Sequence, residues 1–275
     1  MRSRREAAIS RLILVLATVV ALYPALAVLS LALSTPAARP TSLGMPRSLT
    51  LANFAQAWDA GRFDSALLSS AFVATTVVVV AVALSVLSGY ALARLRVPFA
   101  GLILGVLLIG LVLPYEGVII PLYLQMLDWG LVNTPWALIL PQIGLSVSLG
   151  TFWMHTFFSG LPRALPEAAA IDGATRFQTL TRVLLPTAAP AVSTLALLVF
   201  LYTWNDFLLA LVLVPDNPDV QTAPLALSFF AGNTRAADTG VTAAAAVLVA
   251  LPLMVLYVFL QRRFISGLLS GAVKE

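Results

Sequence analysis

Few side chains in this sequence can do covalent chemistry. There is one histidine, His155, there is no cysteine, and the only lysine is Lys274. That set excludes disulfides, thiolate metal sites and cysteine nucleophiles. A lone imidazole supports neither a His-based metal site nor a Ser–His–Asp triad, so His155 reads as a packing residue near the end of its segment. No G-x-x-x-x-G-K-[ST] run exists to cradle a nucleotide phosphate. What remains is recognition chemistry. Glu116 and Asp206 stand in otherwise apolar stretches, where a carboxylate at the centre of a bilayer costs about 2.5–3.5 kcal/mol by insertion scales. Asn205, Gln142, Tyr115, Tyr202 and Trp204 bring amides and aromatic rings to similar positions. Carboxylates and amides pair with hydroxyl groups, and aromatic rings cover the apolar faces of pyranose-like rings. No Arg or Lys lies within these stretches, which argues against a strongly anionic ligand. The groups either line a polar path or satisfy one another between helices.

The elements that position them are membrane helices. Hydrophobic residues make up 60% of the chain, charged residues 10%, and mean hydropathy is +0.97. A soluble domain carries about 25% charged residues, so this composition could not cover a water-facing surface. About 20 apolar residues cross a bilayer, and six stretches qualify: 12–34, 66–93, 100–123, 134–158, 190–214 and 239–261. Lipid offers the backbone no hydrogen-bond partner, so each is expected to be helical. The first is too long for a signal-peptide core and reads as an anchor. Pro114 and Pro121 are expected to kink the third and open its carbonyls to a cavity. A pI near 9.8 could suggest nucleic acid, but the arginines cluster at the ends of apolar stretches. Of the 16 basic residues, all but Arg39, Arg47, Arg62 and Arg235 fall on one side of a six-span topology. The positive-inside rule then puts both termini and the 159–189 loop in the cytoplasm. The 35–65 and 215–238 loops lie outside, the former with a short interfacial helix near Leu49–Phe54. The chain shows no short-period internal repeat.

The 159–189 loop carries the most specific signal. It reads Glu167-Ala168-Ala169-Ala170-Ile171-Asp172-Gly173-Ala174, then Val183-Leu184-Leu185-Pro186. Pro166 suits a first helical turn, where its missing N–H costs nothing, and Glu167 there complements the helix dipole. Small alanines would let another surface approach closely. Asp172-Gly173 ends the helix, since Gly readily takes positive φ. A second helix, 174–185, follows. The pattern E-A-A-x-x-x-G, nine residues, an aliphatic residue, x, L-P resembles the cytoplasmic coupling loop of bacterial ABC importer permeases, with Val183 where isoleucine is usual. Ile120-Pro-Leu-Tyr, Leu131-Val-Asn-Thr, Ala137-Leu-Ile-Leu-Pro, Trp204-Asn-Asp-Phe and the tail Gln261-Arg-Arg-Phe…Ser270-Gly-Ala-Val-Lys274 are similar to the carbohydrate-uptake, maltose-type branch.

That resemblance implies an all-α, polytopic fold over residues 1–275 with six transmembrane helices and a helix–turn–helix coupling loop. It implies a non-enzymatic translocation subunit for a sugar or polyol in the bacterial inner membrane. The implied partners are a second, homologous permease, two ATPase subunits that hold ATP and Mg, and an extracytoplasmic binding protein, with no metal, cofactor or nucleic acid bound by this chain. Glu167, Ala168, Ala169, Asp172, Gly173 and Ala174 would meet the ATPase. The pathway candidates are Asn205, Asp206, Trp204, Glu116, Tyr115 and Gln142, although Glu116 departs from the uncharged residue usual in relatives. Gly271 and Lys274 would reach the ATPases through the tail, unless the terminus simply frays. A secondary transporter with intramembrane carboxylates is the alternative. It would have no need of this loop, and its characteristic inverted repeats are missing from the sequence.

Overall fold

The computed structural model describes residues 4–36, 48–112, 114–232 and 238–272. Among these the chain is helical. No strand forms, and one isolated bridge joins Ser34 to Leu49. In order, the helices are α1 (Arg4–Ala32), α2 (Ala52–Ala60), α3 (Phe63–Arg94), α4 (Ala100–Val112), α5 (Ile119–Asp128), α6 (Pro135–Gly160), α7 (Ala164–Ile171), α8 (Arg176–Gln178), α9 (Leu185–Thr187), α10 (Ala189–Asn205), α11 (Leu208–Leu213), α12 (Ala223–Gly232) and α13 (Thr239–Ala272). Four helices are long and apolar enough to cross a bilayer, or up to six spans if two bent pairs count as one each.

The chain divides into two compact units: residues 1–64 with 226–252, and residues 65–225 with 253–275. In the first, α1 carries an apolar run within Ile9–Ala32 whose mean hydropathy reaches 2.7. Most of its large side chains are exposed, so lipid or another subunit must cover it. Asn53 on α2 is buried and donates from Nδ2 to the carbonyls of Ala32 at 2.8 Å and Ser34 at 2.9 Å. It thereby satisfies backbone acceptors where α1 ends. The short helix expected near Leu49–Phe54 is thus α2, beginning slightly later.

The second unit has the larger core, built from residues such as Val77, Leu138, Met154, Phe158, Leu195 and Leu213. Within it α6 is central, packing against α4, α10 and α11. α3 joins it through small residues. A Cβ on Gly89 would lie 2.6 Å from the Met154 Cβ and 2.8 Å from the His155 nitrogen. Beside it, one turn earlier on α6, Thr151 shares a 2.6 Å hydroxyl hydrogen bond with Ser88. Close approach through small residues, with hydroxyls bonding across, is how helices associate where no hydrophobic effect drives them together.

Two of the expected spans are not single helices. α4 ends at Val112, and the chain resumes after Pro114 as a 3₁₀ turn, Tyr115–Val118, that leads into α5. Pro114 supplies the break, having no N–H to donate. Pro121 makes no kink, because it falls in the first turn of α5, where the missing N–H has no intrahelical partner to lose. The 190–214 stretch also breaks. α10 stops at Asn205, Asp206 is extended (φ −65°, ψ 120°), and α11 starts at Leu208. Asn and Asp compete for local backbone bonds and so favour helix ends over interiors. The 215–238 segment, expected as a loop, contains α12. α13, which holds the expected sixth span, runs past the expected end at 261 as far as Ala272.

Candidate functional site

The helix–turn–helix at 159–189 is built by caps. α7 closes with the Gly173 N–H on the Ala170 carbonyl at 3.1 Å and the Ala174 N–H on the Ala169 carbonyl at 2.9 Å. This is the Schellman pairing, in which the residue past the cap takes a left-handed conformation. Gly173 takes φ +78° with nothing near a prospective Cβ. The following helix opens with a reciprocal capping box: Thr175 Oγ1 accepts from the Gln178 N–H, and Gln178 Oε1 accepts from the Thr175 N–H at 2.8 Å. The second helix therefore begins at Arg176, not 174, and runs to Thr187, with π-helical turns over Thr179–Leu184. At Ala188 (φ −82°, ψ −3°) it bends by 79° into α10, whose second residue is Pro190.

These caps sort the expected contact residues. Glu167, Ala168, Asp172 and Gly173 are exposed, and Ala174 is half-buried. Ala169 is not available to a partner. It is 7% exposed, because α7 packs that side on the π-helical turns. Two residues missed in the sequence stand out instead. Ile171 is 87% and Phe177 66% exposed, so the loop presents apolar side chains beside its small ones. The Thr175-x-x-Gln178 spacing was a legible capping signal.

The pathway candidates converge. A cleft of about 960 Å³ opens in the second unit, lined by Tyr115, Glu116, Gln142, Ser146, Tyr202, Asn205 and Asp206 among apolar residues. Both helix breaks meet here: Tyr115 and Glu116 lie on the 3₁₀ turn after Pro114, and Asn205 and Asp206 lie between α10 and α11. Irregular backbone at membrane depth is tolerated where it lines a cavity. Asp206 Oδ1 accepts the Leu209 N–H at 3.0 Å, so it also caps α11. Asn205 Nδ2 donates to the Leu201 carbonyl at 2.8 Å, leaving its amide oxygen free. Gln142 is 6% exposed, and its Oε1 is buried with no donor. Among the described residues, no Lys, Arg or His lines the cleft.

Trp204 does not belong to it. It is buried and stacks on Phe200 with centroids 5.4 Å apart, so its ring fills the core. His155 is half-buried, with Nε2 3.5 Å from Ser159 Oγ on the next turn of α6. Gly271 lies near the end of α13. Lys274 lies outside the described residues.

A family model for binding-protein-dependent transport system inner membrane components matches residues 81–269, a stretch that contains the cleft and the capped loop. The chain is 36% identical to the trehalose transport system permease protein SugB of Mycobacterium tuberculosis, over 92% of this chain and 93% of that one. It is 32% identical to the trehalose/maltose transport system permease protein MalG of Thermococcus litoralis, over 98% and 99%. Its fold matches a chain in the crystal structure of a bacterial ABC transporter involved in import of the acidic polysaccharide alginate, with a TM-score of 0.78, 23% identity and coverage of 96% and 99%. The secondary-transporter alternative is not favoured by these likenesses. With its apolar helices, its capped loop and these relatives, the chain belongs to the binding-protein-dependent transport system inner membrane components, the multi-pass permease subunits of ABC importers.

Proposed function

We propose that this permease subunit moves a sugar or related polyol delivered by an extracytoplasmic binding protein. It works beside a second, homologous permease and two copies of an ATPase, which hold the ATP and Mg. The observation that carries the substrate reading is the chemistry of the cleft. The two carboxylates and the Asn205 amide oxygen can accept from hydroxyl groups, and the rings of Tyr115 and Tyr202 can cover a pyranose face. That no cation lines the cleft among the described residues disfavours an anionic cargo. Relatives that carry trehalose and maltose in their names support the same class.

The 159–189 loop is the docking surface for the ATPase, through Glu167, Ala168, Asp172 and Gly173, flanked by Ile171 and Phe177. Both termini are cytoplasmic in this arrangement. ATP-driven closure of the ATPases moves the loop, and the cleft alternates between outward and inward access. The test is uptake of radiolabelled neutral mono- and disaccharides, trehalose and maltose among them, by cells with and without this chain. Uptake of at least one is expected to disappear with the chain and return with it. Unchanged uptake of the whole panel would refute the substrate class.

A further inference from the structure

The loop must be fastened to the helices it moves, and the fastening is unevenly distributed. The end of α3 near the loop makes polar contacts with both sides of it. Arg94 Nη2 donates to the carbonyls of Phe158 and Leu161, both at 2.5 Å. Phe158 lies in the last turn of α6 and Leu161 is the cap residue after it, where the chain enters the loop. A guanidinium there adds a donor to carbonyls at the helix end and complements the negative end of the helix dipole. One turn back on the same helix, the Tyr90 hydroxyl donates to the carbonyl of Arg176 at 3.2 Å. Arg176 opens the helix that leads out of the loop. The Tyr90 ring also meets the Phe158 ring edge-on at 5.9 Å. A single helical turn of α3 therefore holds the chain just before α7 and just after it.

The same helix continues the contact toward the cleft. From Arg94 and Tyr90 the α3–α6 contact runs through Gly89 against Met154 and His155, then Ser88 to Thr151, then Ser85 against Gly150. α6 carries on to Ser146 and Gln142, which line the cleft. Trp153 of α6 donates from Nε1 to the Ala191 carbonyl at 3.1 Å, joining α10 to the same body. A closely packed body transmits displacement and does not absorb it. Arg94 is also a costly choice for stability alone, since its Nε is buried without an acceptor.

We propose that Tyr90 and Arg94 form a latch that couples movement of the docked loop to the cleft. They are positioning residues and touch neither nucleotide nor cargo. The proposal rests on the cleft being the pathway and the loop the ATPase contact.

The sequence has no cysteine, so a Ser146→Cys reporter in the cleft is unique within this chain. The assembled transporter, purified with its partner permease and ATPases, is treated with a small maleimide with and without ATP and vanadate. Modification of this chain is followed by mass spectrometry and ATP hydrolysis is measured alongside. With the latch intact, the modification rate is expected to change at least five-fold on nucleotide trapping. Arg94→Gln and, independently, Tyr90→Phe are expected to bring that ratio below two while hydrolysis stays within two-fold of the parent. Tyr90→Phe keeps the ring contact and removes only the hydroxyl, so it decides the matter should Arg94→Gln fail to assemble. Variants that keep the full response overturn the latch and leave the pathway standing. So do variants whose response and hydrolysis fall in proportion, the mark of a purely structural role. A parent reporter that reacts alike in both states overturns the pathway reading and the latch together.

Discussion

At the scale of single residues, Asp206 shows how a carboxylate can hold two roles that substitution separates. Its Oδ1 accepts the Leu209 N–H while the group also lines the cleft. Asparagine caps about as well as aspartate, and loss of a cap costs about 0.5–2 kcal/mol. Asp206→Asn is therefore expected to leave the melting temperature of the purified complex unchanged and to alter uptake only. Asp206→Ala is expected to lower both. Equal melting temperatures for Ala and Asn would show that the cap contributes nothing. Gly173 invites a matching comparison. Its φ of +78° costs an L-residue about 1–2 kcal/mol, and asparagine is among the residues that tolerate it. No atom crowds the position, so any penalty is backbone strain alone. Gly173→Val is expected to lose co-purifying ATPase while the chain still inserts, whereas Gly173→Asn retains it. Retention by both would dissociate the turn from docking.

At the scale of elements, the breaks matter more than the helices. Each interrupts an apolar stretch at a residue with a local reason to stop: Pro114 in one case, Asn205-Asp206 in the other. Both put irregular backbone on one cleft. In the same unit α3 and α6 touch through glycines, and glycine positions differ sharply in what they face. Gly89 meets Met154 and His155, while Gly144, also helical, has nothing within 4 Å of its prospective Cβ. Gly89→Ala is expected to destabilise by about 1–3 kcal/mol through overpacking. Gly144→Ala is expected to be neutral or to stabilise by up to about 1 kcal/mol, since alanine is the better helix former. Thermal unfolding of the two purified variants separates them. Equal melting temperatures would mean that α3 and α6 part freely at this point.

At the scale of the whole molecule, orientation is expected to follow from charge. The basic residues concentrate on the side that carries the 159–189 loop, and that side is expected to be cytoplasmic. Single cysteines at exposed Asp172 and Asp216 test it in a chain with none of its own. An impermeant maleimide applied to intact cells is expected to label Asp216→Cys and to reach Asp172→Cys only after the membrane is opened. The reverse pattern would invert the topology and remove the loop from contact with an ATPase.

What the sequence determined by itself was whatever depends on neighbours along the chain. Apolar length demanded helices, because lipid leaves the backbone no other partner. Asp172-Gly173 ended α7, and arginine placement set the expectation for which side faces the cytoplasm. The stop at Asn205-Asp206 and the Thr175–Gln178 box were equally local, and reading those residues as caps would have found both. Tertiary structure alone decided which face each residue turns to. Ala169 and Ala168 are adjacent alanines, yet one is buried and the other exposed, because only the fold sets α7 against the turns that follow it. Trp204 and Asn205 part in the same way, one stacked into the core and the other open to the cleft. Bringing Glu116, Gln142 and Asp206 to one cavity, and Arg94 to the far end of α6, requires packing between helices distant in sequence. No local propensity encodes that packing; it comes from the shapes of small residues that let two helices approach.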